Sequence, residues 1–286
     1  MIAAEVSAYA SARIRAIVDG ALEDSGALGV LPTPLEALRR RAGIELVEHG
    51  APGEEVLGAL WFEEGVMYVD GGQSGPRRAF TEAHELVHGL CPWHFAVLRR
   101  DTEAELFRPV RDAIEAEANA GAAMLLFQGS AFAGLAAAEP PSLASVRSLA
   151  ELHGASLHAT LHHFTQARSD AVAMLTVGRF PRRDGSLPVW RCVESSAFRE
   201  RHGPAAALAG DGLAPGSALR ELAEAARITS EAPATVLGCG AGRLRVEAHY
   251  NRHAFLMLAV ADPEVSRPGS AHAAGDRPVV AAGLGA

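Results

Sequence analysis

Apolar residues recur every fourth position at Ile2, Val6, Ala10, Ile14 and Val18, which predicts an amphipathic helix over residues 2–19. Pro32 and Pro34 mark a loop, after which a helix around 34–42 and a strand over 44–47 are expected. Two apolar runs, 56–62 and 66–69, flank Glu63-Glu64-Gly65 and predict a hairpin. The strand just before the next helix is well placed to be a sheet edge on which an extended peptide could pair through its main chain. Helical spacing then returns. Phe80, Ala83, Leu86, Val87 and Leu90 form one apolar face, Pro76 suits a first turn, and Cys91-Pro92 ends the helix. A second helix is expected over 109–127, and its run of small residues at 118–123 permits close approach to the first. The stretch 92–108 between them, with Trp93, His94 and Phe95 followed by charges, reads as a lid or substrate loop.

After Pro140-Pro141 the spacing changes. Helices over 142–152 and 157–167 are joined by His153-Gly154-Ala155-Ser156, with Ala150 small for close packing, Gly154 for the turn and Ser156 as N-cap. That is the spacing of a helix-turn-helix. Beyond residue 171, strand-like runs at 172–180, 189–193, 244–250 and 255–260 surround a helical stretch near 217–227, with links such as Arg182-Arg183-Asp184-Gly185. From Pro263 onward Gly, Pro, Ala and Ser dominate, which predicts a disordered tail. The expected class is α+β, divided into 1–138, 139–170, 171–263 and the tail 264–286.

The chemistry lies on the helix with the Phe80 face. His84 and His88 stand one turn apart on the same side, and Glu85 projects with them, giving the H-E-x-x-H arrangement of zinc peptidases. With 12 His and 24 Glu in 286 residues, chance placement gives about 0.04 such matches, so the motif is informative before context is weighed. A metal needs a third ligand and an open position. Cys91 lies about 10 Å along the axis from His84, too far for bonds of about 2 Å, and reads as a core thiol. Glu115 is the better third ligand. Asn119, one turn on, could accept the N–H of a ligand histidine, whereas Glu117 points about 200° away around the helix and reads as solvated.

The run Arg77-Arg78-Ala79-Phe80-Thr81-Glu82-Ala83-His84-Glu85-Leu86-Val87-His88, followed by Glu115-Ala116-Glu117-Ala118-Asn119 and an Ala-rich helix, resembles the ImmA/IrrE family of metallopeptidases. The order of the later segments resembles its radiation-response branch, IrrE. The resemblance implies a zincin-like peptidase domain, with zinc on His84, His88 and Glu115 and with Glu85 as base. It implies a GAF-like sensor domain over 171–263 from order and length. It also implies narrow specificity for a helix-turn-helix repressor, whose cleavage releases stress or DNA-damage genes. The chain departs from the family at Ala79, where arginine is frequent, and at Leu125-Leu126-Phe127-Gln128, where Leu-Leu-Met-Pro is common. Neither departure touches the metal residues.

The remaining features set bounds. A net charge of −8 argues against nucleic acid as primary partner and suits a basic protein. Arg147 and Arg168 cancel Glu151 and Asp170 between residues 142 and 170, so this unit reads as a docking or packing element. No apolar run reaches the length of a membrane span, and three widely spaced cysteines fit a reducing compartment, so a cytoplasmic location is expected. All 26 basic residues are arginine. His94 and Tyr68 are candidates for stabilising an oxyanion, with a plain surface role as the alternative for His94. His158, His162 and His163 read as an exposed face, and His249 and His253 bracket a hairpin turn with only a weak case for a metal pair. Mn, Fe or Co could replace zinc on two His and a carboxylate. Two other classes stay open: a DNA-binding regulator with a vestigial site, and a ligand-sensing module with a structural metal.

Overall fold

The computed structural model describes residues 2–49, 57–73, 75–98, 108–239 and 242–261. Helix α1 (Ile2–Asp24) runs past the expected end because Leu22 continues the four-residue spacing of Ile14 and Val18, and all three are buried. Helix α2 (Leu35–Ala42) closes on Gly43 in the left-handed conformation, φ 71°. A three-stranded sheet follows, made of β1 (Glu45–His49), β2 (Gly58–Trp61) and β3 (Val66–Asp70) in the order β1-β3-β2. The hairpin β2–β3 forms as predicted, and β1 pairs in parallel with the other side of β3. This corrects the edge assignment. The strand before the metal-candidate helix is central because β1 takes its second side, so the edge strands are β1 and β2, and β2 is the one that walls the cleft. Val56, which the expected strand included, lies outside the described residues.

Helix α3 (Gly75–Leu90) carries the two metal-candidate histidines, and α5 (Arg108–Phe127) packs across it. Glycine at 121 sets their separation, because a Cβ there would lie 2.7–2.8 Å from the Val87 methyl groups. Residues 92–98, expected in a lid or substrate loop, form a short helix instead, α4 (Pro92–Leu98), and 99–107 lie outside the described residues. Helix α5 ends at Gln128 and Gly129, both at positive φ, and the chain turns into α6 (Ser130–Ala138).

Helices α7 (Leu143–His153) and α8 (Leu157–Ala167) are joined by the predicted turn: the Ser156 hydroxyl accepts from the Ala159 backbone N–H, and Gly154 adopts φ 61°. Ser142, expected inside the first helix, is its N-cap instead, its hydroxyl accepting from the Ser145 N–H. Strand β4 (Val172–Gly178) then opens an antiparallel sheet with β5 (Leu187–Glu194), β6 (Gly212–Leu213), β7 (Glu231–Cys239), β8 (Gly242–Tyr250) and β9 (Ala254–Ala261), ordered β6-β5-β4-β9-β8-β7. Helices α9 (Ser196–His202) and α10 (Ala218–Thr229) connect them. β7 was not foreseen, since Pro233 and Gly238 interrupt its pattern. It is an edge strand whose register shifts between Ala232 and Thr235, the setting in which proline is tolerated.

Two cores result. The first joins Ile14 and Leu22 to Met67, Leu86, Leu125 and Leu161, and continues into Met174 and Leu258 on one face of the second sheet. The second lies on the opposite face, where Leu175, Val177, Phe255 and Met257 pack under Leu222 and Ala226 of α10. β4 is buried at every position because helices cover both its faces. This position of α8 against β4 and β5 corrects the reading of its histidines as exposed. His158 Nε2 lies 3.1 Å from Thr176 Oγ1, and the His163 ring packs 4.4 Å from that of Phe127. His249 faces Glu231 at 3.8 Å across β7 and β8, while His253 is exposed, and neither joins a metal-sized cluster among the described residues. The tail from 264 on lies outside the described residues.

Two predictions follow from this packing. Gln128, 6 % exposed, accepts from Gly29 N–H at 2.7 Å and donates to Val30 O at 2.9 Å and Thr33 Oγ1 at 3.0 Å, fixing the loop between α1 and α2. Gln128→Ala removes the anchor of this loop and the buried partner of the Thr33 hydroxyl, and is expected to cost about 1–3 kcal/mol of stability in urea titration. Burial, reinforced by the His162 charge, pushes the His163 pKa down to about 4. The unfolded chain then binds a proton that the native state refuses. The associated stability is fully present above about pH 6.5 and falls as pH drops toward 4, by up to about 3 kcal/mol. His163→Leu is expected to flatten this acid limb when melting temperature is followed against pH.

Candidate metal centre

α3 presents His84 and His88 on one side because they are one turn apart, and the close seat of α5 brings Glu115 to meet them. His84 Nε2 lies 3.1 Å from His88 Nε2 and 3.2 Å from Glu115 Oε2, and His88 Nε2 lies 3.9 Å from the same oxygen. Tetrahedral ligands with bonds of about 2.0–2.1 Å stand about 3.3 Å apart, so the triangle has the size that a zinc ion requires. Among the described residues, this is the one group of His, Cys, Asp and Glu with that convergence.

Hydrogen bonds behind the rings sharpen the fit. His84 Nδ1 is 3.2 Å from Asn119 Oδ1, an acceptor, so the ring proton sits on Nδ1 and Nε2 is bare. His88 Nδ1 is 3.0 Å from His94 Nδ1, and His94 Nε2 is 3.0 Å from Glu117 Oε2. The carboxylate accepts only, so His94 donates through Nε2, its Nδ1 accepts, and His88 must donate through Nδ1. Both ligand candidates therefore turn bare Nε2 lone pairs toward each other. Protonating His88 does not relieve this, because burial and the neighbouring His84 and His94 push its pKa down to about 3. A cation between the two nitrogens satisfies all three groups.

Glu85 lies beside the cluster. Burial, then the Glu115 charge, pushes its pKa up to about 7, against a hydrogen bond from the Leu60 backbone N–H. A cleft of about 710 Å³ opens over His84, Glu85, His88 and Glu115, walled by the whole of β2 and by Phe95 and Leu98 of α4. The Phe62 and Phe95 rings meet at 5.1 Å across one end. Gly58 lets β2 lie this close to α3, since a Cβ there would meet Thr81 Cγ2 at 2.5 Å. Asp70 N–H donates to Leu57 O, so by alternation Gly58 and Leu60 turn their main-chain groups to the open edge.

Other sequence candidates fall elsewhere. His94 is fully buried behind His88, which corrects both the oxyanion and the surface readings. Tyr68 sits on the central strand between buried Met67 and Val69, so period-two alternation turns it to the far face, where it meets Trp61 at 5.4 Å between ring centroids. Glu117 is half-buried rather than a fully solvated group. It does point away from Glu115, but α4 occupies that side, and Glu117 Oε2 accepts from Trp93 Nε1 at 2.8 Å and from His94. Cys91 is a buried core thiol whose pKa burial raises to about 12.

No curated protein matches the chain. A solved structure, described as a Mycobacterium tuberculosis transcriptional regulator, shares the fold over 89 % of each chain with a TM-score of 0.56 and 15 % identity. The peptidase family described as the IrrE N-terminal-like domain matches residues 39–165, from within α2 to the last turns of α8 and across every residue of the cluster. Residues 39–165 of this chain are thereby an IrrE N-terminal-like domain of that peptidase family.

Proposed function

We propose that the chain is a site-specific metalloendopeptidase that cleaves a helix-turn-helix repressor to switch on a stress or DNA-damage response. The observation that carries this reading is the convergence of two bare imidazole nitrogens and a carboxylate at the floor of a cleft whose wall is an open strand edge. His84, His88 and Glu115 would hold the ion, zinc by donor set, with manganese or another divalent ion as a substitute. When bound, the ion supplies Lewis acidity, activating a water at neutral pH and polarising a carbonyl. The remaining work belongs to the chain. Glu85 takes the proton of the attacking water and delivers it to the leaving amine. β2 aligns an extended substrate through the main-chain groups of Gly58 and the Leu60 carbonyl, the Leu60 N–H being held by Glu85, and the rim of Glu63 and Glu64 suits a basic segment.

In this reading residues 1–138 form a zincin-like peptidase domain, 139–170 a helix-turn-helix-like docking unit and 171–263 a GAF-like sensor domain. Direct DNA binding is disfavoured, because Arg147 pairs with Glu231, and Arg168 pairs with Asp170 and donates to the carbonyls of Ala136 and Glu139. The name of the structural neighbour supports a regulatory role. A purely structural metal calls for four protein ligands, whereas three meet here beneath an open cleft. No single helix among the described residues is long and apolar enough to cross a membrane, which is compatible with a cytoplasmic partner.

The test is incubation of the zinc-loaded protein with helix-turn-helix repressors from its own genome, read by mass spectrometry. One discrete cut is expected, abolished by chelation and restored by zinc. Glu85→Gln is expected to keep the metal while lowering the rate by about 10²–10⁴. Full activity in that variant would remove Glu85 from the mechanism.

A further inference from the structure

His94 and Glu117 do not line the cleft, yet they form a continuous hydrogen-bonded chain that runs from half-buried Glu117 through buried His94 to the His88 ring. His94 is fully buried, His88 is 4 % exposed, and the two links are each 3.0 Å. We propose that Glu117, acting through His94, sets the tautomer of His88 and so holds its Nε2 bare for the metal; both are positioning residues. The inference rests on the reading of His84, His88 and Glu115 as ligands.

With a neutral His94, the direction of every hydrogen in this chain is forced. Glu117 offers only lone pairs, so His94 must direct N–H at it, which leaves His94 Nδ1 as an acceptor and makes His88 Nδ1 the donor. The opposite arrangement would set two lone pairs against each other at 3.0 Å in a site with no solvent. Glu117 is itself fixed. Its Oε2 takes a second N–H from Trp93, and the Arg13 guanidinium lies 3.3 Å from the centre of the Trp93 ring. The anchor of the chain thus reaches α1, α4 and α5 together. His84 receives the same service more simply, from Asn119 alone. The asymmetry has a physical reason. Asn119 lies on the same face of α5 as Glu115 and reaches His84 directly, whereas His88 Nδ1 faces α4, so its acceptor must come from that helix and be oriented in turn.

Metal-ligating histidines held by such partners lose about 10- to 100-fold in metal affinity when the partner is removed. The deciding experiment uses the full chain in three variants, each first checked for native circular dichroism. Glu117→Leu removes the acceptor. His94→Phe fills the same volume without an acceptor for His88. Glu117→Gln places an amide oxygen where Oε2 stood. Zinc affinity is measured by competition with a fluorescent chelator, and the His88 tautomer is read by ¹⁵N–¹H long-range spectroscopy of the metal-free protein. The expected result is zinc binding weakened about 10- to 100-fold in Glu117→Leu and His94→Phe, with His88 shifted from the Nδ1–H form, and affinity within about threefold of the parent in Glu117→Gln. Folded Glu117→Leu and His94→Phe proteins that bind zinc like the parent and keep His88 as Nδ1–H would overturn the proposal. So would a Glu117→Gln protein as weak as Glu117→Leu, since charge rather than the acceptor would then be the cause. If Glu117→Leu does not fold, His94→Phe and Glu117→Gln decide alone. If the parent binds no zinc, the ligand reading fails by itself, and the tautomer of the metal-free variants still decides the relay.

Discussion

Everything at the metal centre depends on how closely α5 lies against α3. A hydrogen atom at position 121 is what permits it, because any larger group would press on the Val87 methyls, and buried Ala118 and Ala122 keep the same face flat. Glu115 and Asn119 stand on that helix less than two turns before Gly121. The separation of the helices is therefore also the separation of carboxylate from imidazole and of amide from ring. A shift of 1 Å would lengthen the ligand triangle beyond the span of bonds near 2 Å while leaving every element intact. The geometry of the candidate metal centre is a consequence of small-residue packing.

That dependence explains what could be read from sequence. The i, i+4 pair His84 and His88 is local, so helical periodicity alone places both rings on one side. Glu115 and Asn119 were reachable because they repeat the same spacing on a second helix marked by small residues. The turn glycine Gly154 and the cap Ser156 were equally legible, since each is set by the residue itself and its near neighbours. Element identity held wherever apolar spacing was regular. It failed at β7, where Pro233 and Gly238 remove the pattern and only pairing with β8 makes a strand, and at residues 92–98, where three aromatic rings in a row looked like a loop.

The non-local features were not legible. Whether β3 or β2 is the edge depends on where β1 returns, and a parallel return leaves no mark in a five-residue strand. The helical-wheel argument placed Glu117 opposite Glu115 correctly and then assumed that opposite meant solvent. α4 fills that space, and with it comes His94, whose ring was read as a surface group and is instead the link to His88. The histidines of α8 were misjudged for the same reason. A helix with polar residues on its outer side reads as exposed, but the second sheet lies against that side. In each case the error was in the neighbour and not in the element.

The likeness to the mycobacterial regulator belongs on a different footing from the site. At 15 % identity, shared architecture means that two sequences satisfy the same alternation of buried and exposed positions. β4 and β9 need only apolar side chains on both faces, and α10 needs one apolar stripe, so many sequences meet those demands. The metal centre does not share that tolerance. Asn119 must accept from His84, Glu117 must accept from His94, and both imidazoles must then face inward without a proton. No substitution that preserves only size or hydropathy keeps that chain of donors and acceptors. The candidate site therefore depends on atoms 3.0 to 3.2 Å apart, and the overall fold holds them there.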